Sequence, residues 1–144
     1  MGRIIAIANQ KGGVGKSTTA VNLATSLALA EKDILIIDTD PQGNSTSGFG
    51  IARDGLDKTL YDFYSKRCDI GDAIKETSVG HLAIIPSTVD LLGVEIELVG
   101  REGREHILSD SINAIRDRYR YILIDCPPSL GLLTLNALVA ADSV

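Results

Sequence analysis

Lys11-Gly12-Gly13-Val14-Gly15-Lys16-Ser17-Thr18 directly follows an apolar run at residues 3–8 and opens a segment of helical periodicity. A strand that feeds a glycine-rich loop and then a helix is the layout of a phosphate-binding loop, where backbone N–H groups and the positive end of the helix dipole converge on an anion. Gly12, Gly13 and Gly15 let the backbone approach, Lys16 reaches back over the β and γ phosphates, and the Ser17 hydroxyl suits Mg²⁺. The ordinary pattern, G-x-x-x-x-G-K-[ST], is met only at its end. Gln10 replaces the first glycine, and a second lysine, Lys11, stands at the mouth of the loop. There it points away from its own nucleotide or toward a neighbour. One lysine suffices for binding, so the second implies a further role.

Outward from the loop, short apolar runs alternate with helical patterns, as a parallel α/β sheet requires. Residues 4–8, 34–37, 82–85 and 121–124 read as strands buried on both faces. Residues 17–31 form the crossover helix, with Val21, Leu23, Ala24, Leu27 and Ala28 at helical spacing. Residues 41–55, rich in Gly, Ser, Thr and Asn, read as a mobile loop too polar to bury. Short helices are expected at 60–65 and 70–76, and further helical segments at 89–99, 104–119 and 130–141. Pro127-Pro128 must end the fourth strand.

Composition narrows the function. The chain has 144 residues, one domain's worth, and 44% hydrophobic content. No apolar run approaches a membrane span, and no signal-peptide layout opens it, so a cytoplasmic location is expected. Cys68 and Cys126 are far apart, which suggests neither a disulfide framework nor a zinc site. A net charge of −5 argues against coating nucleic acid by bulk electrostatics. The arginine-rich stretch at 101–120 interleaves acids and reads as a solvated helix face.

Two acids fall where strands end. Asp38 closes the second strand and Asp125 the fourth, Tyr121-Ile122-Leu123-Ile124-Asp125, while the phosphate loop follows the first. Ligands of open α/β sheets bind in the crevice at the strands' carboxyl ends, so three separate runs point to one nucleotide site. A carboxylate placed like Asp125 sits near the γ-phosphate or behind Mg²⁺. In Asp38-Thr39-Asp40-Pro41-Gln42-Gly43-Asn44 the two carboxylates can face one side, and either could hold a Mg²⁺-bound water or orient the attacking one. An Asx-turn leaving the strand accounts for Asp40 but not for the pair.

The loop at 11–18, the Asp38 to Asn44 segment and Ile124-Asp125-Cys126-Pro127-Pro128 together resemble the deviant Walker A ATPases, and within them the ParA/Soj partition proteins. Ile85-Pro86-Ser87-Thr88-Val89-Asp90-Leu91 and Leu133-Thr134-Leu135-Asn136-Ala137-Leu138 extend the likeness. The resemblance implies a P-loop NTPase-like three-layer sandwich with a mostly parallel sheet and an ATP-dependent homodimer that encloses two nucleotides with Mg²⁺. In that picture Lys11 crosses to the partner's phosphates, Lys16 serves its own, Val14 and the glycines line the loop, and Thr18 binds the α-phosphate. Ser17, Asp38 and Asp125 are the expected metal residues. Asp40, in switch I, orients the hydrolytic water, and Asp125 with Pro127-Pro128 forms switch II.

The family further implies non-specific DNA binding by the full-length protein, nucleoid association, and a ParB-type partner that stimulates hydrolysis. Its members run longer than this chain, so residues 1–144 are expected to be the amino-terminal part of a single P-loop ATPase domain, with another buried strand beginning at 142–144. Three alternatives share the loop. A MinD-type division-positioning ATPase carries a basic amphipathic C-terminal helix and a different switch I. A nitrogenase-iron-protein-like reductase needs suitably placed cysteines, and a nucleotide-gated scaffold hydrolyses negligibly.

Overall fold

The computed structural model describes residues 2–8 and 14–144, with side chains in the first helix described from Thr19 onward. In chain order the elements are β1 (Arg3–Ile7), α1 (Val14–Leu29), β2 (Ile34–Asp38), α2 (Asn44–Gly48), α3 (Leu60–Tyr64), β3 (Lys75–Glu76), β4 (Leu82–Ile85), α4 (Val94–Glu97), α5 (Ile107–Ile112), β5 (Tyr121–Asp125) and α6 (Leu132–Ala140). Single 3₁₀ turns precede several of them, at Ile70–Ala73, Val89–Gly93 and Arg104–His106. The sheet runs β1-β5-β2-β4-β3, parallel except for the short antiparallel edge strand β3.

Burial on both faces explains why β2, β4 and β5 are nearly pure Ile and Leu. Alternation divides them into two cores. Leu35, Ile37, Ile122 and Ile124 pack toward the layer of α3 to α6, whereas Ile34, Ile36 and Leu123 pack with Ala24 and Ala28 of α1. The result is the expected three-layer sandwich.

Four expectations are corrected. First, α1 meets the sheet through Ala20, Ala24 and Ala28, all nearly inaccessible, while Leu23 is 40% exposed. Small residues at i, i+4 and i+8 let the helix lie close to the strands, and the larger side chains flank the contact. Second, residues 41–55 contain a helix, α2, whose Ser45 and Thr46 are fully buried. Its Gly48 packs against α1, so that a Cβ there would stand 3.1 Å from Val21. Third, residues 70–76 form one 3₁₀ turn and the edge strand β3 rather than a helix. Fourth, the stretch 101–120 is not uniformly solvated. The Arg116 guanidinium donates to the Gly2 carbonyl and pairs with Asp142.

Asp142 also accepts from the Ile4 N–H at 2.9 Å, and Ser143 forms a parallel bridge with Ile5. These contacts lie on the outer edge of β1 and amount to one isolated bridge, with Asp142 and Val144 exposed rather than in a buried strand. Among the described residues no helix is long and apolar enough to cross a membrane.

Candidate nucleotide site

Parallel register brings the two strand-end acids together. Asp38 pairs with Asp125 across β2 and β5, and Ile7, at the end of the strand feeding the glycine-rich loop, pairs with Asp125 from the other side. By alternation both acids lie on the α1 side of the sheet, the side occupied by Ile36 and Leu123. Both are fully buried.

Hydroxyl groups from α2 meet these carboxylates. Ser45 Oγ donates to Asp125 Oδ2 at 2.5 Å. Thr46 donates twice to Asp38 Oδ2, from its N–H at 2.9 Å and from its Oγ1 at 2.7 Å. Burial pushes the Asp38 carboxyl up to about 7; the Thr46 hydrogen bonds pull it down and the Asp125 charge pushes it further up. A buried charge without such donors would cost several kcal/mol, which is why a polar segment folds inward here.

Asp40 lies one turn further on, 4% exposed. Its Oδ1 accepts from the Gln42 N–H at 3.0 Å, and Asp38 Oδ1 accepts from the Asp40 N–H at 3.2 Å. Each acid therefore closes a local turn with one oxygen, so turn chemistry extends to both. Among the described residues, the Asp38 side chain also reaches another element, α2. Asp40, Pro41 and Gln42 face Pro127, Pro128 and Leu133 across a 210 Å³ cavity, which brings the segments after β2 and β5 to one place.

Lys11, Gly12 and Gly13 lie outside the described residues. The backbone of Val14, Gly15, Lys16, Ser17 and Thr18 begins α1, so the helix start that the loop requires is present, but their side chains also lie outside the described residues. Sequence reasoning missed Ser45, Thr46 and Ser87. The polar cluster Asn44-Ser45-Thr46-Ser47, a few residues after Asp38 and Asp40, was the available signal for the first two. Of the two cysteines, Cys126 is fully buried in the core and Cys68 is half-buried. Neither position offers an exposed thiolate for a shared iron–sulfur cluster.

Known proteins agree with this architecture. A family model described as an AAA domain matches residues 2–144. The sporulation initiation inhibitor protein Soj of Bacillus subtilis is 54% identical over the whole of this chain, which covers 57% of that protein. The chromosome partitioning protein ParA of Myxococcus xanthus is also 54% identical, with 51% of it covered. Among solved structures, cobyrinic acid a,c-diamide synthase from Mycobacterium smegmatis with bound ATP analogue and magnesium superposes with a TM-score of 0.93 at 37% identity, over 98% of this chain and 56% of that one. The chain thus spans about half the length of the curated relatives it matches. With its phosphate-loop sequence, its paired strand-end acids and a family model spanning residues 2–144, the chain belongs to the AAA-domain family, in the ParA/Soj branch of deviant Walker A P-loop proteins.

Proposed function

We propose that the whole protein is an ATP-dependent, dimerising ATPase that segregates chromosome or plasmid DNA and hydrolyses ATP to ADP and phosphate under stimulation by a ParB-type partner. One observation carries the reading. Asp38 and Asp125 are buried in register beside the strand that feeds the two-lysine loop, which is where a parallel sheet binds its ligand. The 54% identity to Soj and to ParA favours DNA partition among the uses of this architecture.

The described donor set fits magnesium. It offers only oxygen, from the Asp38 and Asp125 carboxylates and the Ser45 and Thr46 hydroxyls, the hard-donor chemistry that Mg²⁺ selects. Ser17 is assigned the direct contact, with Asp125 and Asp38 behind it. When bound, the ion neutralises charge developing on the phosphate oxygens.

The remaining steps belong to the protein. Lys16 holds the β and γ phosphates of its own nucleotide, and Lys11 reaches those of a second subunit. Gly12, Gly13, Val14, Gly15 and Thr18 complete the cradle. Asp40, its carboxylate oriented by the Gln42 N–H, aligns the attacking water. Ser45 fixes the Asp125 carboxylate. DNA binding, nucleoid association and a cytoplasmic location belong to the same proposal.

The test is the ATPase rate of the whole protein with and without DNA and a ParB-type partner. Stimulation by the partner supports partition. A rate that neither addition changes contradicts it, and a negligible rate under all conditions favours a nucleotide-gated scaffold.

A further inference from the structure

We propose that Arg53 is a positioning residue that latches the Asp40 turn, and so sets the geometry of water activation in the ATPase assigned above, on which its catalytic consequence rests. The side chain donates to three backbone carbonyls. Its Nε reaches Ser87 at 3.2 Å, one Nη reaches Gln42 at 2.6 Å and the other reaches Pro41. Pro41 and Gln42 follow Asp40 directly, whereas Ser87 lies just beyond β4. One planar guanidinium therefore bridges the turn after β2 to the end of β4, a distance of 34 residues in sequence to Ser87.

The same two segments are joined from below. Ser87 Oγ donates to the Asp40 carbonyl at 2.5 Å, and the Ser87 N–H donates to Thr46 Oγ1 at 3.0 Å, the hydroxyl that holds Asp38. The turn itself is closed by the Gly43 N–H donating to the Asp40 carbonyl at 2.8 Å. Gly43 is required beside the latch. Its φ is +67°, and a Cβ there would stand 2.6 Å from the guanidinium carbon.

Among the described residues Arg53 forms no ion pair with a carboxylate. Its donors are spent on main-chain oxygens, the use for which a rigid five-donor fork suits better than an ammonium group. Lysine at this position keeps the charge but cannot span three carbonyls at fixed geometry. The latch thus depends on shape, which separates it from a general electrostatic contribution.

The test uses Arg53→Ala and Arg53→Lys in the whole protein, with two readouts. Amide hydrogen exchange at Gln42 and Gly43 in nucleotide-free protein reports the latch directly. Steady-state ATP turnover reports its consequence. Faster exchange at both amides in both variants, and a kcat reduced about 10- to 100-fold with KM nearly unchanged, are expected, with partial recovery of Arg53→Ala by added guanidinium ion. Unchanged exchange overturns the latch, and so does recovery of full kcat by Arg53→Lys. A wild-type protein that turns over no ATP sinks the ATPase reading instead, while the exchange result still decides the latch.

Discussion

Asp38 and Asp125 are direct partners in the parallel register of β2 and β5, and both carboxylates are fully buried. Two like charges this close in a protein interior repel and resist desolvation, and the fold answers with hydroxyl donors from α2. The arrangement serves a ligand better than it serves stability.

The Asp38 carboxyl makes that tension measurable. Its folded value of about 7 lies above the ordinary carboxylate value of 3.8. Between those values the folded chain keeps a proton that the unfolded chain has released, so stability falls as pH rises through that window. In buffer free of nucleotide and Mg²⁺, the unfolding midpoint should drop from pH 5 to pH 7.5. The drop should shrink in Asp38→Asn; an equal slope in both proteins would count against the assignment.

Thr46 should matter more than its surface-like neighbours. Thr46→Val removes a donor from buried Asp38 and leaves the Ser87 N–H without its acceptor. A cost of about 1–3 kcal/mol is expected. Ser47→Ala, one residue on at an exposed position, should stay within about 0.5 kcal/mol. Chemical denaturation of the two variants makes the comparison.

Glu95 couples α4 to the start of α6. Its Oε1 accepts from the Leu132 N–H at 2.5 Å, and a Cβ on Gly131 would stand 1.6 Å from that oxygen. Gly131→Ala should therefore displace the carboxylate and cost about 1 kcal/mol, the usual worth of a helix cap. In a Glu95→Ala background the same change should cost almost nothing. Additive losses in the double-mutant cycle would show that the glycine serves another purpose.

The strands were legible because strands buried on both faces need no alternation, and their Ile and Leu runs stand out between helical periods. Their ends were legible because an acid or proline cannot continue such a run, as Asp38 and Pro127 show. The helix α2 was not. Its partner Asp125 lies 80 residues away from Ser45, and composition alone cannot distinguish a serine that faces water from one bonded to a buried carboxylate. The same limit hid Arg53, whose acceptors are main-chain carbonyls and carry no signature in side-chain identity. On α1, periodicity marked the helix and the contact residues Ala24 and Ala28 but missed Ala20 and included the exposed Leu23, since alanine rather than leucine permits the closest approach.

Sedimentation of the whole protein in a hydrolysis-impaired Asp40→Ala background with Mg²⁺ and ATP tests the claim that ATP joins two subunits through Lys11. The parent should sediment as a dimer and bind ATP. Adding Lys11→Ala should leave ATP binding intact and give monomer, whereas adding Lys16→Ala should abolish binding. A Lys11→Ala protein that still dimerises with ATP, or that loses ATP binding as fully as Lys16→Ala, would contradict the claim.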